Sequence, residues 1–211
     1  MNKKILRSAM ALSALLAGQA GAAGTGASAE LKVSGELAPA SCVVQVADSK
    51  LYWEGLTPEM LKPNVSTDLD YKMTRVSMQC EDQVMPSFQV IDNRAGTASE
   101  NAAQYLGLGN VNGTGKVGYY TAQATSPTVD GGKAAMFIEG EGGAGPMVML
   151  KDRSVVRWGK MATHDAMSGK DFAFDLVIQP TLASEKVMGG APGQGETLMD
   201  GSMTLEFKFG V

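Results

Sequence analysis

Two cysteines give this sequence its clearest covalent opportunity: Cys42 in the stretch GELAPASCVV and Cys80 at the end of VSMQC. Two thiols can close one intramolecular disulfide, stay free, or pair between chains. Holding a metal would take more, because a tetrahedral sulfur–nitrogen site needs a close set of Cys and His. The chain offers no further cysteine and a single histidine, His164. In ATHDAM, His164 stands beside Asp165, but neighbours on a strand point to opposite faces. No serine sits in a G-x-S-x-G turn. His164 therefore reads as a solvated loop residue rather than a general base.

The carboxylates are no more suggestive. Glu139 and Glu141 flank Gly140 in a loop, and Asp68 and Asp70 share a face of an extended segment. Two carboxylates are too few for a calcium ion, which takes about six to eight oxygens, so a solvated acidic face is the expectation. Trp53, Tyr119, Tyr120 and Trp158 are of the types that line sugar clefts, but their scatter favours packing. The 14 methionines suit irregular core filling, and Met147 and Met149 within MVML alternate like sheet residues. Asn64-Val65-Ser66 fits an N-glycosylation pattern. No catalytic constellation, metal or cofactor is expected, and the chain reads as a non-enzyme.

The compartment follows from the N-terminus. Lys3, Lys4 and Arg7 precede a short apolar segment, Ser8 to Ala17, and small residues at Ala20-Gly21-Ala22. This is the order of a secretory signal peptide, residues 1–22, cleaved after Ala22. The apolar segment is too short to span a bilayer, and no later stretch predicts a stable transmembrane segment. Export places the cysteines where disulfides persist, so a Cys42–Cys80 bridge is expected. The whole chain carries 18 Lys and Arg against 22 Asp and Glu, and loss of the signal peptide makes it more acidic. Such a balance repels nucleic acid. No basic amphipathic helix supports binding to a membrane surface.

The elements that would position any site are strands. Leu31 and Val33 alternate with polar neighbours, and Cys42, Val44 and Val46 continue with a period of two after Pro39. Leu69, Tyr71 and Met73 alternate, then Val76, Met78 and Cys80; the parity change near Thr74 predicts a bulge or two separately paired segments. SFQVIDNRAG, KVGYYTAQ, AAMFIEG and GPMVML are further short runs. In FAFDLVIQP, Phe172, Phe174, Leu176 and Ile178 share a face and Pro180 ends the strand. In MTLEFKFGV, Met203, Leu205, Phe207, Phe209 and Val211 share another. Helix is expected only in short pieces at 56–61 and 100–106. Roughly seven or more short strands with turn signals between them predict an all-β sandwich of one domain.

LKVSGELAPASC at 31–42, VSMQC at 76–80, DNRAG at 92–96, YLGLG at 105–109, KVGYYT at 116–121 and DGSMTLEFKF at 200–209 together resemble the chaperone–usher pilin superfamily of Gram-negative bacteria. The likeness is nearest to a fimbrial-like family of unknown function. It covers most of the chain after the signal peptide. The resemblance implies an immunoglobulin-like sandwich at 34–211 that is incomplete and is completed by a donor strand. It places the donor in the extension 23–33, with Ala27, Ala29, Leu31 and Val33 facing inward, and makes Met203, Leu205, Phe207 and Phe209 the border of the acceptor groove. The partners it implies are a periplasmic pilus chaperone, an outer-membrane usher and neighbouring pilin subunits. The destination is the periplasm and then a surface fimbrium supporting adhesion. Typical pilins end with a penultimate tyrosine, where this chain has Phe209 third from the end, and Leu198 replaces a usual glycine. The competing expectation is a self-contained secreted or periplasmic sandwich that binds carbohydrate or another ligand.

Overall fold

The computed structural model describes residues 41–161, 163, 165–193 and 199–210. The chain divides into two units, Met1–Leu37 and Ala38–Val211. The first lies outside the described residues, as do Ala27, Ala29, Leu31, Val33, His164 and Val211. Everything below concerns the second.

Its main strands are β1 (Cys42–Val46), β2 (Lys72–Asp92), β3 (Gly118–Val129), β4 (Ala135–Ile138), β5 (Met147–Met149), β6 (Val155–Gly159), β7 (Gly169–Leu182) and β8 (Met203–Gly210). One short helix, α1, spans Glu185–Met188. All ladders between these strands are antiparallel. The fold is an all-β sandwich.

β2 organises both layers. Its first half pairs with β1 on one side and β7 on the other, and β7 continues to β3 and β5. Its second half pairs with β8 on one side and β6 on the other, and β6 continues to β4. Val76 is the register partner of Phe174, while the Phe88 and Phe174 rings stack with centroids 5.3 Å apart. A straight strand would separate Val76 and Phe88 by roughly 40 Å, at about 3.3 Å per residue. β2 therefore doubles back between the layers, around residues 80–84. The ladder with β7 is irregular at that place, jumping from Val84 to Gln79 between Gly169 and Asp171.

The core fills the space inside this fold. Phe88 also meets Trp158 edge-on at 5.7 Å and Phe207 at 5.4 Å, and Trp158 meets Phe172 at 5.3 Å. Phe172, Phe174, Phe88 and Trp158 are all buried, so large aromatic rings bridge the two sheets. Asp92 is buried as well. Its carboxylate accepts from the Arg94 N–H at 2.9 Å and the Gly107 N–H at 2.9 Å, fixing the DNRAG turn against the Leu106–Gly107 strand segment.

Several sequence expectations are corrected. The buried face of β2 runs through Thr74, Val76, Met78 and Cys80, and Tyr71 and Met73 point out. Leu69 is buried on the opposite parity, so the change expected near Thr74 falls between two separately paired segments, Thr67–Asp68 and β2, both laid on β7. The Thr74 hydroxyl accepts from the Asp48 N–H at 2.9 Å. Pro180 does not end its strand; β7 continues to Leu182. The Pro180 carbonyl accepts from Leu69, so its ring nitrogen faces that same side and leaves the ladder to β3 intact. The 56–61 stretch holds only a 3-10 turn at Pro58–Met60. The 100–106 stretch is not helical, because buried Leu106 pairs with Tyr120 at the edge of β3. Met147 is exposed, and Val148 and Leu150 turn inward instead.

Candidate functional site

Two strands end their sheets facing one another. β1 closes one layer and β8 the other, and each pairs only with β2 among the described residues. A strand edge left this way presents unpaired N–H and C=O groups. Between them lies an apolar groove of about 810 Å³.

The doubled-back β2 gives the groove two different ends. At the bend, Cys42 is opposite Cys80 and Gly210 is opposite Met85. Away from it, Val46 is opposite Val76 and Met203 is opposite Asp92. β1 and β8 therefore run in opposite directions along the groove walls. Val44 and Val46 line one wall, and Met203, Leu205 and Phe207 line the other. Val44 is 36% exposed and Val46 is 41% exposed, so these apolar side chains stand in water at an open edge. The floor is Val76, Leu176 and Ile178.

Beyond Val46 the wall is a loop, not a strand. It brings Leu51, Trp53 and Leu56 to the groove, facing Leu108, Tyr120 and Met199. The Trp53 indole N–H donates to the Asp70 carbonyl at 2.7 Å. The Lys72 ammonium lies 5.5 Å from the Trp53 ring centroid and donates to the Tyr52 carbonyl. These contacts pin an aromatic side chain at the far end. Gly201 completes that end: a Cβ there would come within 3.0 Å of both Leu108 and Tyr120.

The residues expected from sequence are distributed as follows. Cys42 and Cys80 are joined in a disulfide, a bond of oxidising compartments. Met203, Leu205 and Phe207 line the groove, whereas Phe209, opposite Pro86 near the bend, is 39% exposed and lies outside it. Of the four aromatics considered for a cleft, Trp53 and Tyr120 reach the groove, Trp158 is in the core, and Tyr119 stacks on Tyr105 at 3.8 Å. Asp68 accepts from the Thr181 hydroxyl, while Asp70 offers its carbonyl to Trp53. Glu139 pairs with Arg157 and Glu141 with Lys151. Sequence reasoning weighed Trp53 for a cleft but set it aside for its scatter, and it missed its far-end neighbours Leu51, Leu56, Leu108 and Met199, because they come from three separate segments with no shared period.

Two tyrosines, Tyr120 at this end and Tyr119 stacked on Tyr105, make stability sensitive to alkali. Burial raises the Tyr120 phenol, with the nearby charges of Asp92 and Asp152 adding to the shift. Burial and the hydrogen bond with Tyr105 push Tyr119 up to about 12. The unfolded chain loses these protons near pH 10 while the folded chain keeps them. Their contribution is thus complete below pH ~10 and falls as pH rises toward 12. Urea unfolding at stepped pH should show this decline, and Tyr120→Phe should make it shallower. At pH 7 the same variant should match the parent closely, because the Tyr120 hydroxyl is buried without a hydrogen-bond partner among the described residues.

Neither a protein-family model nor a curated protein matches this chain.

Proposed function

We propose that this protein is a structural or minor subunit of a chaperone–usher surface fibre, held to its neighbours by strands inserted into the groove between β1 and β8. The observation that carries the reading is the pair of facing strand edges, unpaired among the described residues, over a floor of Val76, Leu176 and Ile178. One extended segment laid between them supplies hydrogen-bond partners to an edge and drives alternate side chains between the sheets. In this reading a periplasmic chaperone fills the groove first, an usher passes the subunit outward, and a neighbouring subunit replaces the chaperone. The order of sequence blocks from LKVSGELAPASC to DGSMTLEFKF supports the family, and the Cys42–Cys80 disulfide supports passage through an oxidising compartment.

Expression of the full chain in a Gram-negative periplasm, with and without a co-expressed pilus chaperone, tests the proposal. The chain should accumulate as a one-to-one complex with the chaperone and be degraded or aggregated without it. Equal yields of folded monomer in both conditions would remove the fibre mechanism and leave the self-contained binding sandwich.

A further inference from the structure

The chain contains one Asn-Gly pair, Asn112-Gly113. It sits at the tip of a small hairpin in which Asn110–Val111 pairs with Gly115–Lys116. Asn112 adopts φ 50° and Gly113 φ 83°, left-handed conformations that Asn and Gly enter at least cost. The hairpin rests on the end of α1. The Asn112 side-chain amide donates to the Met188 carbonyl at 3.1 Å and to the Gly190 carbonyl at 3.0 Å. A helix end leaves such carbonyls without partners of its own. Gly115 completes the fit, since a Cβ there would lie 1.9 Å from the Met188 oxygen. Met188 itself is buried in the core.

The same two residues can react with one another. When glycine follows asparagine, no side chain crowds the approach of the next backbone nitrogen to the side-chain carbon. Nothing lies within 4 Å of the place a Gly113 Cβ would take, and the Gly113 N–H has no acceptor among the described residues. In the reaction the Gly113 nitrogen forms a bond to Asn112 Cγ. The Cγ–Nδ2 bond breaks, and Nδ2 leaves as ammonia with the proton lost from Gly113. Water then opens the cyclic imide, its hydroxyl adding to a carbonyl carbon and its hydrogen to the nitrogen. The product is aspartate, or isoaspartate with the backbone rerouted through Cγ. Either one replaces an amide that donates twice with a carboxylate that only accepts, set against two carbonyl oxygens.

We propose that Asn112-Gly113 is a site of spontaneous deamidation, which the fold slows and which, once complete, releases α1 from the hairpin. The amide must leave both carbonyls before Cγ can swing over the Gly113 nitrogen, so the closed clasp delays the reaction. Conversion runs one way, because the carboxylate meets acceptors where the amide met partners and the clasp cannot re-form. The place that loosens is the junction of the hairpin with α1. This chemistry is independent of what fills the groove between β1 and β8.

The test incubates the full oxidised chain and a synthetic peptide of residues 109–117 in the same mildly alkaline buffer, followed by mass-spectrometric peptide mapping. Asn112 should convert in both, in the folded chain at least about 10-fold more slowly, the order set by opening two hydrogen bonds. Asn110, followed by Val111, should stay intact on this timescale. Equal rates would mean that the clasp gives no protection. No conversion in the folded chain, whether or not the peptide converts, would remove the site. Either result overturns the proposal. The converted protein, separated by ion exchange, and N112D made directly should melt about 3–8 °C below the parent. Amide exchange should be faster in both at Met188 and Gly190, whose N–H groups close the turn of α1. N112G keeps the left-handed turn without a carboxylate and should fall between parent and N112D. Should N112D fail to fold, the converted fraction carries the comparison. If that fraction melts and exchanges like the parent, Asn112 does not hold α1 and the proposal is wrong.

Discussion

Opening the Cys42–Cys80 disulfide is expected to cost this protein about 4 kcal/mol of unfolding free energy. The bond closes a loop between residues 38 positions apart, and a loop of that length removes much of the freedom of the unfolded chain. It also holds the least supported strand. β1 has five residues and, among the described residues, a ladder on one side only, and Val43, Val44 and Val46 are all exposed. Replacing both cysteines with serine should therefore do more than lower global stability. Amide exchange in β1 should accelerate beyond the global change, and the Val44–Val46 wall of the groove should be lost with it. Urea unfolding with and without reductant gives the first number. A loss below about 1 kcal/mol would mean that the β1–β2 ladder alone fixes the strand.

Leu205→Asp is expected to separate groove occupancy from folding. Leu205 packs at the edge of the core and lines the groove midway along β8. With the groove open, water reaches a carboxylate at this half-buried place, so the cost to the fold should be about 1–2 kcal/mol. With a strand inserted, the carboxylate is enclosed between apolar side chains and has no partner. An unpaired buried charge is far more costly than a lost methyl group, and affinity for any inserted strand should drop at least about 100-fold. Lys208→Asp, on the outward face of the same strand, should leave binding within about threefold. Calorimetry on the two variants decides the matter. Equal effects at both positions would place the binding surface on the outer face of β8.

The alternating runs were the legible part of the fold. In MTLEFKFGV the pattern puts Met203, Leu205 and Phe207 on the inner face, and the half-buried positions of β8 are those residues. FAFDLVIQP likewise delivers Phe172, Phe174 and Leu176 to the core. Parity names a face but not a partner. Nothing in the residues from Lys72 to Asp92 announces one strand serving two sheets, since the bend near Cys80 is made by charged and polar residues that also suit a straight exposed edge. Phe209 fits the alternation, yet it lies past the end of the groove, because position along the strand is set by register with Pro86. Pro180 reads as a terminator and is not one, because the side its nitrogen faces is a tertiary fact. α1 was within reach: Ser184 precedes Glu185, and Gly189 adopts the left-handed conformation that closes a short helix.

β2 sets a timetable for the whole domain. Its ion pair from Arg75 to Asp175 spans 100 residues, and Asn93, just past its end, bonds Thr204 across 111. Contacts this distant in sequence must wait for loop closure, and domains dominated by them fold in milliseconds to seconds rather than microseconds. During synthesis β2 emerges long before β7 and β8, the strands that cover its two halves. Until they arrive it carries bare edges and aromatic side chains such as Phe88, the features that make nascent β-proteins prone to aggregate. The order in which the chain leaves the ribosome is the reverse of what its central strand needs.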